Sequence, residues 1–388
     1  VNPVPILFLS DSPDCPSGLA RIGRDLATRV HKNLSEQFRV GYLGRGGLGG
    51  SFPFPTWIIP HNLYGLKTTT EWGSTVIEQV WKEFSRGEPG VVFSIWDPAR
   101  MIWLTRPEYL QDSRAKDFLL AKPFSCWGYF PVDGHTPNGG LGLLAKEALI
   151  GYDRILGYTK YGAHVLAKVI GKPPGCVPYL PHGLDPIWFP RDKPLSRKLL
   201  GVEAEDFVVG VVATNQKRKD WGLAATIGQA LSRIHGARYR QWWHTDLAAQ
   251  EWSIPALLNE FDLGKQTTVT FPPRSDEWMA CAYSACNVTL AIGAGEGFGY
   301  PIVESQACGT PVIHGYYGGG AELLPPGNIV SPALAHWLDG LTNIMRPVFV
   351  ASDWLRLIEK PDLSVGDMAP LRWPVLWSKW KRWFLGGL

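Results

Sequence analysis

The stretch Asn287-Val-Thr-Leu-Ala-Ile-Gly293-Ala-Gly295-Glu296-Gly297-Phe298-Gly299-Tyr300-Pro301-Ile-Val-Glu304-Ser-Gln-Ala-Cys308-Gly309-Thr-Pro311-Val-Ile-His314 decides the fold. From Val288 to Ile292 it is largely apolar and ends at a glycine, the pattern of a strand buried on both faces of a parallel sheet. Glycine then recurs at every second position. Pro301 stands where a helix accepts proline, in its first turn, because the missing N–H would have no partner there. Gly309 follows as a left-handed helix stop, with Pro311 just beyond it. The reading is strand, loop, helix of about two turns, strand, the unit of a doubly wound α/β domain.

That geometry has chemical consequences. Gly293, Gly295, Gly297 and Gly299 let the backbone approach a ligand, and the following helix N-terminus offers free N–H groups suited to a diphosphate. Glu296 in the loop and Glu304 a turn inside the helix are spaced to face one pocket at the C-terminal edge of the sheet. Ionised carboxylates there accept hydrogen bonds from vicinal hydroxyls, such as those of a sugar and a ribose. The plainer alternative is a glycine-rich turn in which one glutamate caps the helix.

Outward from this stretch the same grammar repeats. Phe207 to Ala213, Tyr239 to Trp243 and Thr267 to Phe271 read as further buried strands, and Lys217-Arg218-Lys219 follows the first of them. The region from Pro173 to Pro194 is rich in proline and reads as a linker between domains. Before it, Val4 to Leu9 is a buried strand entering the loop Ser10 to Gly18, and Leu19, Ile22, Leu26 and Val30 mark a helix face. Val91 to Ile95, Phe124 to Phe130 and Arg154 to Tyr158 are more strands, while residues 41–65, rich in glycine, proline and aromatics, read as a loop excursion.

A length of 388 residues exceeds one ordinary core, which favours two domains. No run of about eighteen apolar residues suggests a membrane span, and no basic, then apolar, leader is apparent, so a soluble cytoplasmic protein is expected. The six cysteines are scattered without a C-x-x-C pair, which fits a reducing compartment. A net charge of +3 lacks the dense basic footprint of a dedicated nucleic-acid binder.

Glu296-Gly-Phe-Gly-Tyr-Pro-Ile-Val-Glu304 resembles the E-x7-E signature of retaining GT-B glycosyltransferases of the GT4 type. Ser12-Pro13 through Gly18 and Arg21 resembles that family's N-terminal donor loop, Tyr158-Thr-Lys-Tyr-Gly-Ala its S-x-x-G/A segment, and Pro181-His-Gly-Leu-Asp185 its P-N-G-V-D linker. The resemblance implies α/β architecture with two Rossmann-like domains facing each other across a cleft: residues 1–185 for the acceptor, 186–370 for the nucleotide-sugar donor, and 371–388 as a helix returning to the first domain. It implies that Glu296 contacts the transferred sugar and Glu304 the ribose, with Gly297, Phe298, Gly299, Tyr300 and, in the first domain, Gly18 lining the donor. Lys219 falls on the family lysine that clamps the donor diphosphate. The family's preceding arginine is Thr214 here, which makes Arg218 the candidate for the missing charge, while Lys217 reads as a surface residue.

Family members carry a histidine in a T-x-H stretch near the reacting sugar carbon. This chain has Tyr129-Phe-Pro-Val-Asp133-Gly-His135 there. Asp133 is nearest the position and His135 lies two residues on; either orients the sugar or the acceptor hydroxyl, the alternative being an Asp133 turn before Gly134. The implied reaction is metal-independent transfer of a hexose with retention, with no permanently bound cofactor. The donor is a nucleoside diphosphate sugar, UDP-glucose type preferred and GDP-sugar second.

The acceptor is a hydroxyl on a glycan, a metabolite or a hydroxymethylated DNA base, as in phage-type enzymes. The DNA reading would draw on Arg191, Lys193, Arg197, Lys198 and the C-terminal basic residues. A rival of another class is a sugar-nucleotide binder without turnover. Trp373, Trp377, Trp380 and Phe384 share a helical face, with Lys379, Lys381 and Arg382 elsewhere; internal packing is preferred over peripheral membrane contact. His244 and His314 are second-rank candidates for donor phosphate. Cys281 and Cys286 read as core, and no metal site is expected.

Overall fold

The computed structural model describes residues 2–47, 49–59, 72–246, 251–340, 342–360 and 363–386. The chain divides into two compact units, Val1–His182 with Ser378–Leu388, and Gly183–Trp377. Among the described residues no helix is long and apolar enough to cross a membrane.

The first unit is built on strands β1 (Val4–Asp11), β2 (Phe38–Arg45), β3 (Thr56–Ile59), β4 (Gly90–Ser94), β5 (Phe124–Phe130) and β6 (Arg154–Gly157). They pair in the order β3-β2-β1-β4-β5-β6, every neighbour parallel. β1 lies inside the sheet with residues 5–10 buried, which is why its sequence shows no polar alternation. Helix Gly18–Asn33 follows, capped by the Ser17 hydroxyl, which accepts from the Ala20 N–H. Its face Ile22, Leu26 and Val30 is fully buried.

Residues 41–65 are not the loop excursion expected, since β2 runs through Arg45 and β3 adds Thr56–Ile59 as an edge strand. Parallel pairing with β1 overrides the low strand propensity of Gly41 and Gly44. The remainder of that excursion at positions 48 and 60–65 lies outside the described residues.

Helix Trp373–Phe384 ends the chain's regular structure, and from Ser378 it belongs to the first unit. Trp383 lies 5.4 Å from Phe93 and 5.5 Å from Trp127, and Trp380 lies 4.9 Å from Tyr129, ring centre to ring centre. Arg154 donates to the Trp383 carbonyl at 2.6 Å while its guanidinium covers the Trp127 and Trp383 rings. The buried stripe is Trp373, Leu376, Trp380, Trp383 and Phe384, with Trp377 only half-buried. The aromatic face of the helix is thus packed internally.

The second unit holds β7 (Phe207–Val212), β8 (Tyr239–His244), β9 (Thr267–Thr270), β10 (Val288–Ala291), β11 (Val312–Gly315) and β12 (Ile329–Val330). Their order is β12-β11-β10-β7-β8-β9, again all parallel. The chain passes from β7 outward to β9, then returns beside β7 with β10 and continues to the other edge. The strand order therefore reverses between β7 and β10, where open α/β sheets form a crevice at their C-terminal ends.

The proline-rich segment contains the change of unit at His182 and Gly183, but it is packed and not a loose linker. Leu184 and Trp188 are buried, and the Leu184 N–H donates to the Leu371 carbonyl at 2.8 Å. The sequence reading also has no counterpart for an antiparallel hairpin of β13 (His336–Leu338) and β14 (Met345–Pro347), lying between β12 and helix Ala351–Ile358.

Candidate active site

Two loops meet at the reversal point of the second sheet. The one after β7 turns through Lys217–Lys219 and ends at Asp220, whose carboxylate caps helix Trp221–His235 by accepting from the Leu223 N–H at 3.0 Å. The one after β10 carries the glycines and Glu296. The Ala294 N–H donates to the Arg218 carbonyl at 2.7 Å, and Arg218 Nη1 returns a bond to the Gly295 carbonyl at 2.9 Å. Glu296 Oε1 is paired with Lys219 Nζ, and Glu296 Oε2 lies 3.9 Å from Arg218 Nη1. Gly293 packs closely here, since a Cβ there would sit 3.0 Å from Glu296 Oε1 and press on that carboxylate.

Burial alone would push the Glu296 carboxyl up. Lys219 and Arg218 overcome that and hold it down at about 2, so Glu296 is ionised throughout the neutral range. Lys219 is 6% exposed, so this pair is largely out of water. Lys217 points elsewhere and is exposed, its ammonium 5.0 Å from the Trp337 ring centre.

Gly299, at φ 88°, turns the chain into helix Tyr300–Ala307, which has Pro301 in its first turn and no acidic residue there. Glycine is suited to this left-handed conformation. Glu304 lies inside the helix, 5% exposed, and accepts from the Tyr283 hydroxyl at 3.0 Å. The Gly319 N–H donates to the Glu296 carbonyl at 2.7 Å. His314 Nδ1 lies 2.6 Å from the Ala291 carbonyl, which can only accept, so that nitrogen carries the proton. The ring has no solvent exposure, and burial lowers its pKa. His244 is also neutral, brought to about 4 by burial and then by Arg274, and Thr270 holds its Nδ1 at 2.9 Å.

In the first unit the strand order reverses between β1 and β4, and Gly18 opens the helix that follows the β1 loop. The Asp11 carboxylate at the end of β1 accepts from Ser17 at 2.7 Å and from the Trp96 indole at 3.2 Å. Asp133 and His135 follow β5 at the same sheet edge. Asp133 is half-buried, and His135 Nδ1 is 2.7 Å from the Tyr161 hydroxyl, its pKa lowered by burial and then by Lys168.

Of the basic residues suggested for DNA, Arg197 and Arg191 are engaged internally, while Lys193, Lys198, Lys379, Lys381 and Arg382 are exposed. Arg197 is 5% exposed and donates to the Glu203 carbonyl at 2.8 Å and to Asn287 Oδ1 at 2.9 Å. Arg191 donates to the Ile187 carbonyl at 2.9 Å and stacks on Phe189. These guanidiniums hold loops together in the second unit. Sequence reasoning missed Tyr283, Gly319 and Arg346 as partners of the site. Each comes from an element remote in the chain, and no local pattern marks it.

Two doubly wound sheets of six parallel strands define the GT-B class of fold. Among solved structures, sucrose-phosphate synthase from Thermosynechococcus elongatus matches 99% of this chain and 98% of its own, with a TM-score of 0.71 and 16% identity. The Anabaena protein HepE in complex with UDP-glucose matches 85% of this chain and 86% of its own, with a TM-score of 0.60 and 15% identity. In sequence, the chain is 28% identical over 230 residues to D-inositol 3-phosphate glycosyltransferase of Mycobacteroides abscessus, covering 58% of this chain and 47% of that protein. The chain spans about half the length of the curated relatives it matches. No family model matches it.

Proposed function

We propose that the chain is a glycosyltransferase that moves a hexose from a nucleoside diphosphate sugar, UDP-glucose in type, to a hydroxyl acceptor with retention of configuration. The observation that carries this reading is the ionised Glu296 held with Lys219 and Arg218 at the reversal point, in a glycine loop leading to a helix N-terminus. The sequence similarity to a glycosyltransferase and the likeness to a fold solved with UDP-glucose support it.

In this reading Lys219 and Arg218 neutralise the departing diphosphate, Glu296 binds the transferred sugar and Glu304 the ribose. The backbone of Gly297, Phe298, Gly299 and Tyr300 follows the donor, and Gly18 borders it. The bond from the anomeric carbon to the diphosphate oxygen breaks while the bond to the acceptor oxygen forms on the same face. The acceptor proton passes to the departing phosphate oxygen, giving the glycoside and the free nucleoside diphosphate. The protein supplies position and charge without a nucleophile of its own, and the two cations do the neutralising that a divalent ion does in metal-dependent transferases. Asp133 takes the place of the family histidine and orients the sugar or the acceptor. The acceptor is a hydroxyl of a glycan or small metabolite; a hydroxymethylated DNA base is the second reading, favoured by the exposed Lys193, Lys198, Lys379, Lys381 and Arg382.

The test is a thermal-shift panel of UDP, GDP, CDP and ADP, followed by assay of diphosphate release from the matching glucose donor. A ligand at ~100 times its dissociation constant stabilises by about 2.7 kcal/mol. Stabilisation by one diphosphate together with slow release from its sugar is expected. Binding without release under any acceptor would point to a non-catalytic binder, and no binding at all would sink the donor site.

A further inference from the structure

We infer that Arg346, carried by the β13–β14 hairpin, is a positioning residue that sets the Glu296 loop for the donor sugar; the inference rests on the transferase reading of Glu296. Arg346 is 3% exposed and directly faces Trp337 across the hairpin. Its Nη1 donates to the Ala294 carbonyl at 3.3 Å, and its Nη2 lies 3.6 Å from Asp339 Oδ2 at the hairpin turn. Trp337 in turn receives the Lys217 ammonium over its ring. The hairpin therefore touches both site loops, two residues ahead of Glu296 and two ahead of Lys219. Its return strand is fixed where the Tyr317 hydroxyl donates to the Met345 carbonyl.

The loop depends on such ties. Ala294 sits between Gly293 and Gly295, and Gly295 has φ 140°, so the chain here gains little stiffness from its own side chains. Both backbone groups of Ala294 are used: its N–H by the Arg218 carbonyl and its carbonyl by Arg346. Ala294 is 4% exposed, so loss of Arg346 would leave a buried carbonyl without that donor. Burying a guanidinium is costly, and an apolar residue would fill the space more cheaply if packing were its only task. Its reach to the loop is what an apolar side chain cannot supply.

The experiment compares intact Arg346→Met and Arg346→Lys proteins with wild type by hydrogen exchange over residues 293–299, by titration with UDP and UDP-glucose, and by turnover. Arg346→Met should speed exchange in 293–299 and keep UDP affinity within about twofold. It should also lose the extra affinity given by the glucose and lower turnover by about 10- to 100-fold, the scale of a small misplacement. Arg346→Lys should fall between, and it carries the test if Arg346→Met does not fold. Unchanged exchange in a folded variant, or equal loss of affinity for UDP and UDP-glucose, overturns the inference. Wild-type protein that binds neither ligand overturns the transferase reading instead, and the exchange arm still reports on the Arg346 tie.

Discussion

Lys219 and Glu296 are 77 positions apart in the chain and joined side chain to side chain, one in the loop after β7 and the other in the loop after β10. Because those strands are adjacent where the sheet order reverses, the pair brings together residues that follow the first and fourth strands of the unit. Burial opposes the charge on Glu296, yet the two cations prevail and keep it ionised. A charged, preorganised centre results.

The two glutamates should divide the donor between them. Glu304→Ala is expected to weaken binding of free nucleoside diphosphate by about 1.5–3 kcal/mol, the range for hydrogen bonds to charged groups. Glu296→Ala should cost mainly the additional affinity conferred by the sugar. Isothermal titration with diphosphate and diphosphate sugar separates these, and equal losses in both variants would remove the assignment.

Lys219→Met should lower stability in a pH-dependent manner. The folded pKa of Glu296 is about 2, below its unfolded value of 4.5, so ionised Glu296 contributes stability above pH 4.5 and loses it as pH falls toward 2. Relative to wild type, the deficit of the variant should therefore be full at neutral pH, on the order of 2–3 kcal/mol, and shrink in acid. Urea denaturation between about pH 3 and 7 measures it. A deficit of the same size at both ends would mean the methionine acts through packing. Turnover in the variant should also fall more than the Michaelis constant rises, because charge on the leaving diphosphate grows in the transition state.

Asp133→Asn is expected to retain fold and nucleotide affinity while cutting transfer by ~10²- to 10⁴-fold, the contribution of a positioned acid or base. His135→Ala should do much less, because His135 is engaged by the Tyr161 hydroxyl. Steady-state rates beside circular dichroism spectra decide the matter. An active Asp133→Asn protein with an inactive, folded His135→Ala protein would transfer the role to His135.

Trp383→Ala should destabilise the first unit by about 3–5 kcal/mol, the usual cost of removing a large buried aromatic side chain. The ring is 1% exposed and is shared by Phe93, Trp127 and Arg154. Chemical denaturation followed by tryptophan fluorescence reads the loss, and a change under about 1 kcal/mol would show that the helix end is frayed in solution.

Strands with unbroken apolar runs, such as Val4 to Leu9 and Phe207–Val212, were legible because parallel strands buried on both faces show no polar alternation. The turn at Gly299 and Pro301 was legible for the same local reason. Edge strand β3 was not, since four residues beside prolines, only Ile59 of them buried, carry little signal and pairing with β2 holds them. The charges of Lys219 and Glu296 were readable, but their pairing follows from sheet order. The hairpin with Trp337 and Arg346 escaped altogether: its two strands are three residues each and their buried face is turned to loops. Membership of a site by residues remote in sequence is a property of the fold and leaves no local mark.

The first unit is made of two separate pieces of chain, with the whole of the second encoded between them. During synthesis, strands β1 to β6 leave the ribosome before the helix that carries Trp380 and Trp383. Phe93, Trp127 and Tyr129 consequently wait, uncovered on that side, through the translation of nearly two hundred residues. The second unit, whose residues are contiguous, has its strands available first as a complete set. Closure of the first unit thus waits for Trp380 and Trp383, against the usual order in which the leading domain closes before the trailing one.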